Sequence, residues 1–310
     1  MMRAKAITAD KTQTPMLKSI VGAFAASPLM RRGKTLYEAN KRDWEMPLSK
    51  WDKALVGLYL ISRDYATGEF PPVFNDRQAA YQAEIDYQHA LPGMSTDTVK
   101  EINLRKPFWG GVEMARYFDA VSFITDTFAA KGIEPPNTLL ELGCGAGWMS
   151  EMLALIGYSV VGTTISPHDT DDAKLRIESL RIKNLHPNLA FVTTPMEEVC
   201  ERTKDLGPMD GALVYEALHH AFDWRQTCKS VYEALRPGGY FMICDEPNVL
   251  HTYVSYRVAR LSNTHEIGFS RKELTGCLRQ CGFTEIEILR NSIGFLYRPH
   301  WILARRPLTD

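Results

Sequence analysis

The sequence contains no long apolar run, no excess of either charge, no C-x-x-C pair, no internal repeat and no low-complexity tract. Its most apolar stretch, Ser19 to Met30, is broken by Pro28 and falls short of the roughly 18–20 residues that cross a bilayer. With Lys5, Lys11 and Lys18 before or within it, this stretch reads as an N-terminal amphipathic segment rather than a processed signal. No stable membrane insertion is expected. Lys and Arg number 36 and Asp and Glu 37, for a net charge of −1. The basic excess of a general nucleic-acid binder is missing, so no nucleic-acid partner is expected. The six cysteines lack the spacing of a metal knuckle, and Cys277 and Cys281 are placed to share one helix face. They read as reduced thiols in a cytoplasmic protein. With 310 residues, 45% apolar and 24% charged, the chain is too long and too apolar for a disordered segment, a collagen-like repeat or a small disulfide scaffold.

What is present divides into two parts. Residues 1–108 read as helices and loops, an N-terminal helical extension or lid. Ser49 and Asp52 have the spacing of a capping box with Asp in place of Glu, and Trp51, Ala54, Leu55, Leu58 and Ile61 continue at helical spacing. Gly68 and Pro71-Pro72 stop that helix, a second is expected from Arg77 to Ala90, and a third carries Met114, Tyr117, Val121, Ile124 and Phe128 on one stripe. From Thr138, short apolar runs (TLLELG, YSVVGTT, LAFVTT, GALVYEA, YFMICDE) alternate with amphipathic stretches. That alternation predicts an α/β domain over 109–310, a Rossmann-like, doubly wound, mostly parallel sheet. The late runs TEIEILRN and HWILARR follow a helix capped at Ser270 and predict an antiparallel strand near the C-terminus.

The strongest local signal is LLELGCGAGW, residues 139–148. An apolar strand runs into Gly143, Gly145 and Gly147, and a helix begins near Trp148. Glycines turn the chain sharply and bare its backbone to a ligand, and the helix N-terminus offers free N–H groups. A dinucleotide fingerprint needs a third glycine where Trp148 stands. Glu141, two residues before the first glycine, would oppose a pyrophosphate and suits a ligand carrying an ammonium group.

On these motifs, with VVGTTISP, MDGALVYEALHH, LRPGGYFMICDEP and GFSRKELTGCLRQCGF in the same order, the chain resembles the Class I S-adenosylmethionine-dependent methyltransferases over residues 138–290. The resemblance implies S-adenosyl-L-methionine as cofactor, S-adenosyl-L-homocysteine as product, and Glu141, Gly143, Cys144, Gly145, Gly147 and Glu216 around the cofactor. It also marks departures. Thr164 stands where the family usually has an acidic residue on the ribose. A hydroxyl there holds less strongly by roughly 1–2 kcal/mol, with Ser166, Asp169 or Asp171 able to compensate. Met196, after Pro195, either covers the adenine or is a core methionine.

The chemistry is expected where the fourth and fifth strands end, at Glu216 to His220 and at Asp245-Glu246. Histidine titrates nearest neutrality and suits a general base. His219 is favoured over His220, with Asp245 or Glu246 to orient it. A metal held by these residues and His251 would lack motif spacing, and no metal is expected. The insertion Asn248 to Gly268 brings His251, Tyr253 and Tyr256, which with Glu246 are expected to meet the substrate, a small-molecule acceptor; a solvated surface helix is the plainer reading. The expected reaction is O-methylation of a natural product or saccharide. N- or C-methylation, a dinucleotide oxidoreductase, and a non-catalytic relative are the alternatives.

Overall fold

Seven strands and twelve α-helices are seen in the computed structural model, which describes residues 15–44, 46–70, 76–249, 251–264, 268–290 and 299–309. Five helices come first: α1 (Pro15–Ala25), α2 (Pro28–Asn40), α3 (Lys50–Thr67), α4 (Arg77–Ile85) and α5 (Thr96–Arg105). The Ser49 hydroxyl accepts the Asp52 N–H at 3.1 Å at the start of α3, and Gly68 ends that helix at φ +84°. Helix α6 (Gly111–Ala129) then leads into β1 (Thr138–Leu142), α7 (Trp148–Ile156), β2 (Ser159–Thr164), α8 (Pro167–Ile182), β3 (Leu189–Thr193), α9 (Val199–Thr203) and β4 (Met209–Tyr215). The chain finishes with α10 (Trp224–Ala234), β5 (Leu235–Glu246), α11 (His251–Ser262), α12 (Arg271–Cys281), β6 (Thr284–Ile288) and β7 (His300–Arg305).

The sheet order is β3-β2-β1-β4-β5-β7-β6. Strands β1 to β5 pair in parallel, and β7 is antiparallel to both β5 and β6. The doubly wound sheet and its antiparallel C-terminal strand are therefore as the sequence predicts. Alternation along each strand divides the interior in two. Leu140, Leu142, Val214 and Ile243 face the core under α10 and α12. Leu139, Leu213 and Met242 face the other, with Ile124 and Phe128 of α6. The order reverses between β1 and β4, and in an open α/β sheet that reversal opens a crevice beyond the strands' carboxyl ends.

A third cluster joins Met30, Tyr37, Val56 and Leu60 of the N-terminal helices to Tyr256 of α11. The expected insertion thus packs on the N-terminal helices: the Tyr256 hydroxyl donates to Asp64 at 2.9 Å. Helix α11 crosses α3 so closely at Gly57 that a Cβ there would stand 1.6 Å from the Tyr253 carbonyl oxygen. Gly57→Ala is expected to lower stability by about 1–3 kcal/mol through overpacking, read as a drop in melting temperature. An unchanged Tm would contradict this packing.

Candidate functional site

The glycine loop joins β1 to α7. Gly143, Gly145 and Gly147 have φ of +62°, +52° and +75°, a region that favours glycine. Their surroundings differ. A Cβ at Gly143 would meet Ala217 Cβ at 2.5 Å, and one at Gly147 would meet the Phe191 ring at 2.4 Å. At Gly145 nothing lies within 4 Å. The outer two glycines serve packing, while the middle one faces open space where a ligand can lie against backbone. Cys144 between them is buried, and its N–H donates to Thr163 O at 2.8 Å.

That space is a cavity of about 150 Å³ lined by Glu141, Gly143, Gly145, Trp148, Tyr215 and Glu216. Glu141 is 3% exposed and accepts a hydrogen bond from the Ser150 hydroxyl. Burial pushes its carboxyl up to about 7, against the pull of that bond and of the Lys106 charge. Gln88, Asn103 and Lys106 complete the wall. Sequence reasoning left these three in the extension, because no local motif announces a contact across the fold. The Lys106 ammonium lies 4.9 Å from the Tyr117 ring centroid and 5.5 Å from that of Trp148. Burial lowers its pKa, and the Glu216 charge opposes the shift. Arg176 of α8 anchors this segment by donating to the carbonyls of Asn103 and Lys106, both at 2.6 Å.

At the end of β2, Thr164 Oγ1 stands 3.5 Å from Asp169 Oδ2. Of the residues able to compensate for a missing carboxylate, Asp169 is the one beside Thr164. Ser166 is used as the N-cap of α8, and Asp171 pairs with Lys174 at 3.0 Å on an exposed surface. The Asn103 amide donates to Asp169 at 3.2 Å and to Asp172 at 3.1 Å. Burial and Asp172 push Asp169 up to about 6. Met196 packs against the core, and its Cε would lie 3.2 Å from a Gly143 Cβ, so it supports the loop.

The ends of β4 and β5 differ in detail from the sequence expectation. Asp245, one of the two carboxylates expected to orient the histidine, is held by Arg116 Nη1 at 3.0 Å and by Trp301 Nε1 at 3.2 Å. The same Arg116 nitrogen binds Glu216 at 2.6 Å. Both carboxyls are pushed up by burial and pulled back by Arg116. Glu246, expected to meet substrate, is instead fully buried. It accepts the N–H groups of Ala217 and Leu218, each at 2.7 Å, and of His219 at 3.2 Å, and it lies 2.9 Å from His219 Nδ1. Burial pushes Glu246 up to about 7. His220 Nδ1 sits 3.0 Å from Glu84 of α4, and its ring centroid lies 4.2 Å from that of His219 and 5.4 Å from that of Tyr87, both rings tilted against it. Neither histidine is part of the cavity wall described above. Tyr253 is 44% exposed and Tyr256 lies in the N-terminal cluster, so neither lines it. The side chain of His251 lies outside the described residues.

Of the buried carboxyls pushed above their unfolded values of about 4, three lie far above: Glu141 and Glu246 at about 7, Asp169 at about 6. A group whose folded pKa is raised stabilises the fold while protonated. The contribution is complete below the unfolded pKa and is lost as pH rises through the folded one. The ligand-free chain is expected to melt at a lower temperature at pH 8 than at pH 6, as scanning calorimetry reads. A flat melting temperature across that window would show these carboxyls ionised throughout.

The geometry is that of an amino-acid-sized pocket beside a glycine turn, with the Glu141 carboxyl and the Lys106 ammonium in its wall. A family model described as a methyltransferase domain matches residues 113–288, more than half of the chain. A probable S-adenosylmethionine-dependent methyltransferase of Mycolicibacterium smegmatis is 28% identical over 149 residues, 48% of this chain and 52% of that protein. A ubiquinone biosynthesis O-methyltransferase of Methylobacterium nodulans is 25% identical over 182 residues, 54% of this chain and 68% of that protein. The chain thus spans about half to two thirds of the length of these curated relatives. The crystal structure of a magnesium protoporphyrin IX methyltransferase from Synechocystis, with bound S-adenosylhomocysteine, shares the fold at a TM-score of 0.54. It is 17% identical, and the match covers 73% of this chain and 99% of that one. With the sheet order, the glycine cradle over Glu141 and the matched span in agreement, this chain belongs to the Class I S-adenosylmethionine-dependent methyltransferase family.

Proposed function

We propose that the chain methylates a hydroxyl of a small or medium-sized acceptor, a natural product or saccharide, with His219 as general base. The observation that carries this reading is the His219–Glu246 pair, 2.9 Å apart, which joins the turn after β4 to the end of β5. A carboxylate that binds one ring nitrogen fixes the tautomer: with Nδ1–H donating to Glu246, Nε2 carries the lone pair that accepts a proton. The bound cofactor supplies a methyl group made electrophilic by its sulfonium sulfur. The protein's part is to position both partners and to take the acceptor's proton as the new bond to oxygen forms. Gly145 gives the methionine end of the cofactor room, Glu141 meets its ammonium, and Asp169 with Thr164 meets the ribose. The name of the Methylobacterium relative supports oxygen as the acceptor atom.

The test is a panel of phenols, sugars and amines incubated with S-adenosylmethionine, following S-adenosylhomocysteine release and methyl gain by mass spectrometry. Turnover of hydroxylated compounds is expected. Turnover confined to amines would overturn the oxygen assignment.

A further inference from the structure

Helix α1 turns its apolar side outward. Met16, Leu17, Ile20 and Phe24 are 74, 44, 56 and 39% exposed. At about 100° per residue they fall on one stripe of the helix. The half-buried side is the opposite one, through Val21, Gly22 and Ala25. There Gly22 lies on α3, where a Cβ would meet Ala66 Cβ at 3.4 Å. No residue of α1 is fully buried. A helix that serves only its own fold faces its apolar stripe inward, whereas the described residues leave this stripe uncovered.

The sequence that follows is basic. From Pro15 to Tyr37 the chain carries Lys18, Arg31, Arg32 and Lys34 and no acidic residue, although the whole chain is at −1. Arg31, Arg32 and Lys34 are exposed on α2, beside Leu29 at 64% exposure. Arg32 reaches Asp52 at 2.7 Å, which brings the start of α3, with Trp51 at 85% exposure, next to them.

We propose that α1 and the start of α2 dock on an anionic bilayer surface. Helix α1 lies in the headgroup plane with Met16, Leu17, Ile20 and Phe24 toward the acyl chains, and Arg31 and Lys34 meet lipid phosphates. The occupant is a bilayer rather than a peptide because a single outer helix offers a ridge and no groove, its stripe has no hydrogen-bonding group, and Arg31 and Lys34 on α2 are exposed cations, Arg32 being paired with Asp52. No helix among the described residues is long and apolar enough to cross a membrane, so the contact is along the surface. The proposal is independent of the methyl-transfer reading.

Flotation of the full chain with phosphatidylcholine vesicles, with and without phosphatidylglycerol, tests it. The chain is expected to float with the anionic vesicles, not with the neutral ones, and to be released by high salt. The double substitution Ile20→Glu with Phe24→Glu is expected to weaken binding by about tenfold or more. Arg31→Glu with Lys34→Glu, on exposed positions of α2, is expected to remove the anionic preference. Both variants should keep the native melting temperature and S-adenosylhomocysteine affinity. Failure of the native chain to float, or floating unchanged in both variants, overturns the proposal. So does a native dimer in light scattering that the α1 variant converts to monomer without any vesicle binding, which would assign the stripe to a second copy.

Discussion

Replacing His219 by Ala is expected to lower kcat by roughly 10²–10⁴, the range for removal of a general base. Cofactor affinity should change little, because the imidazole is outside the wall of the cofactor cavity. The neutral imidazole is the active form, so kcat/KM should rise with pH and then level off. The profile belongs to the His219–Glu246 pair as a unit, since the carboxyl itself is pushed up to about 7. Glu246→Gln should give a smaller loss and shift the profile to lower pH, because the anionic partner that favours the imidazolium is gone. Asp245→Asn should leave the profile in place, because Asp245 is bound to Arg116 and Trp301. His220→Ala, on a ring held by Glu84, should have the milder effect on kcat. Near-native turnover in His219→Ala, in His220→Ala and in the double variant would remove the general base and leave orientation as the source of rate.

Gly145→Val is expected to abolish cofactor binding. Space alone admits a side chain there, since a Cβ would meet nothing within 4 Å. What the branched side chain would occupy is the cavity that Glu141 and Lys106 line. The backbone also opposes it, because a β-branched residue at φ +52° is strained. Gly145→Ala separates the two effects, with a smaller side chain at the same φ and an intermediate loss of affinity. Gly143→Ala is a contrast, because its Cβ would strike Ala217 at 2.5 Å and the damage should appear first as lowered stability. Calorimetry showing native S-adenosylhomocysteine affinity in a folded Gly145→Val protein would place the ligand elsewhere.

The sheet and the cradle were legible because their signals are local: an apolar run, three glycines at fixed spacing, and a helix start within ten residues. The capping box at Ser270 was legible for the same reason, with its reciprocal bonds at 3.1 and 3.2 Å. Which of Asp245 and Glu246 meets His219 was not. Neighbouring strand residues point to opposite faces, and here the register of β5 against β7 shifts between Ile243 and Glu246, with Asp245 at φ +55°. Which carboxylate meets the β4 turn depends on that irregularity. Gln88, Asn103 and Lys106 reach the cavity through contacts such as Asn103 to Asp172 at 3.1 Å, across a separation that no local pattern reports. Tyr256 illustrates the reverse: an aromatic placed near the site in sequence folds back onto Asp64 and Phe70.

Thermal unfolding of the native chain with S-adenosylhomocysteine, NAD and NADP in parallel is the most direct test of the account. Binding to the folded state alone raises Tm with ligand concentration, by an amount set by RT ln(1 + [L]/Kd). The account predicts a saturable rise with S-adenosylhomocysteine that Gly145→Val removes, and none with either dinucleotide. A rise with NAD or NADP and none with S-adenosylhomocysteine would contradict it.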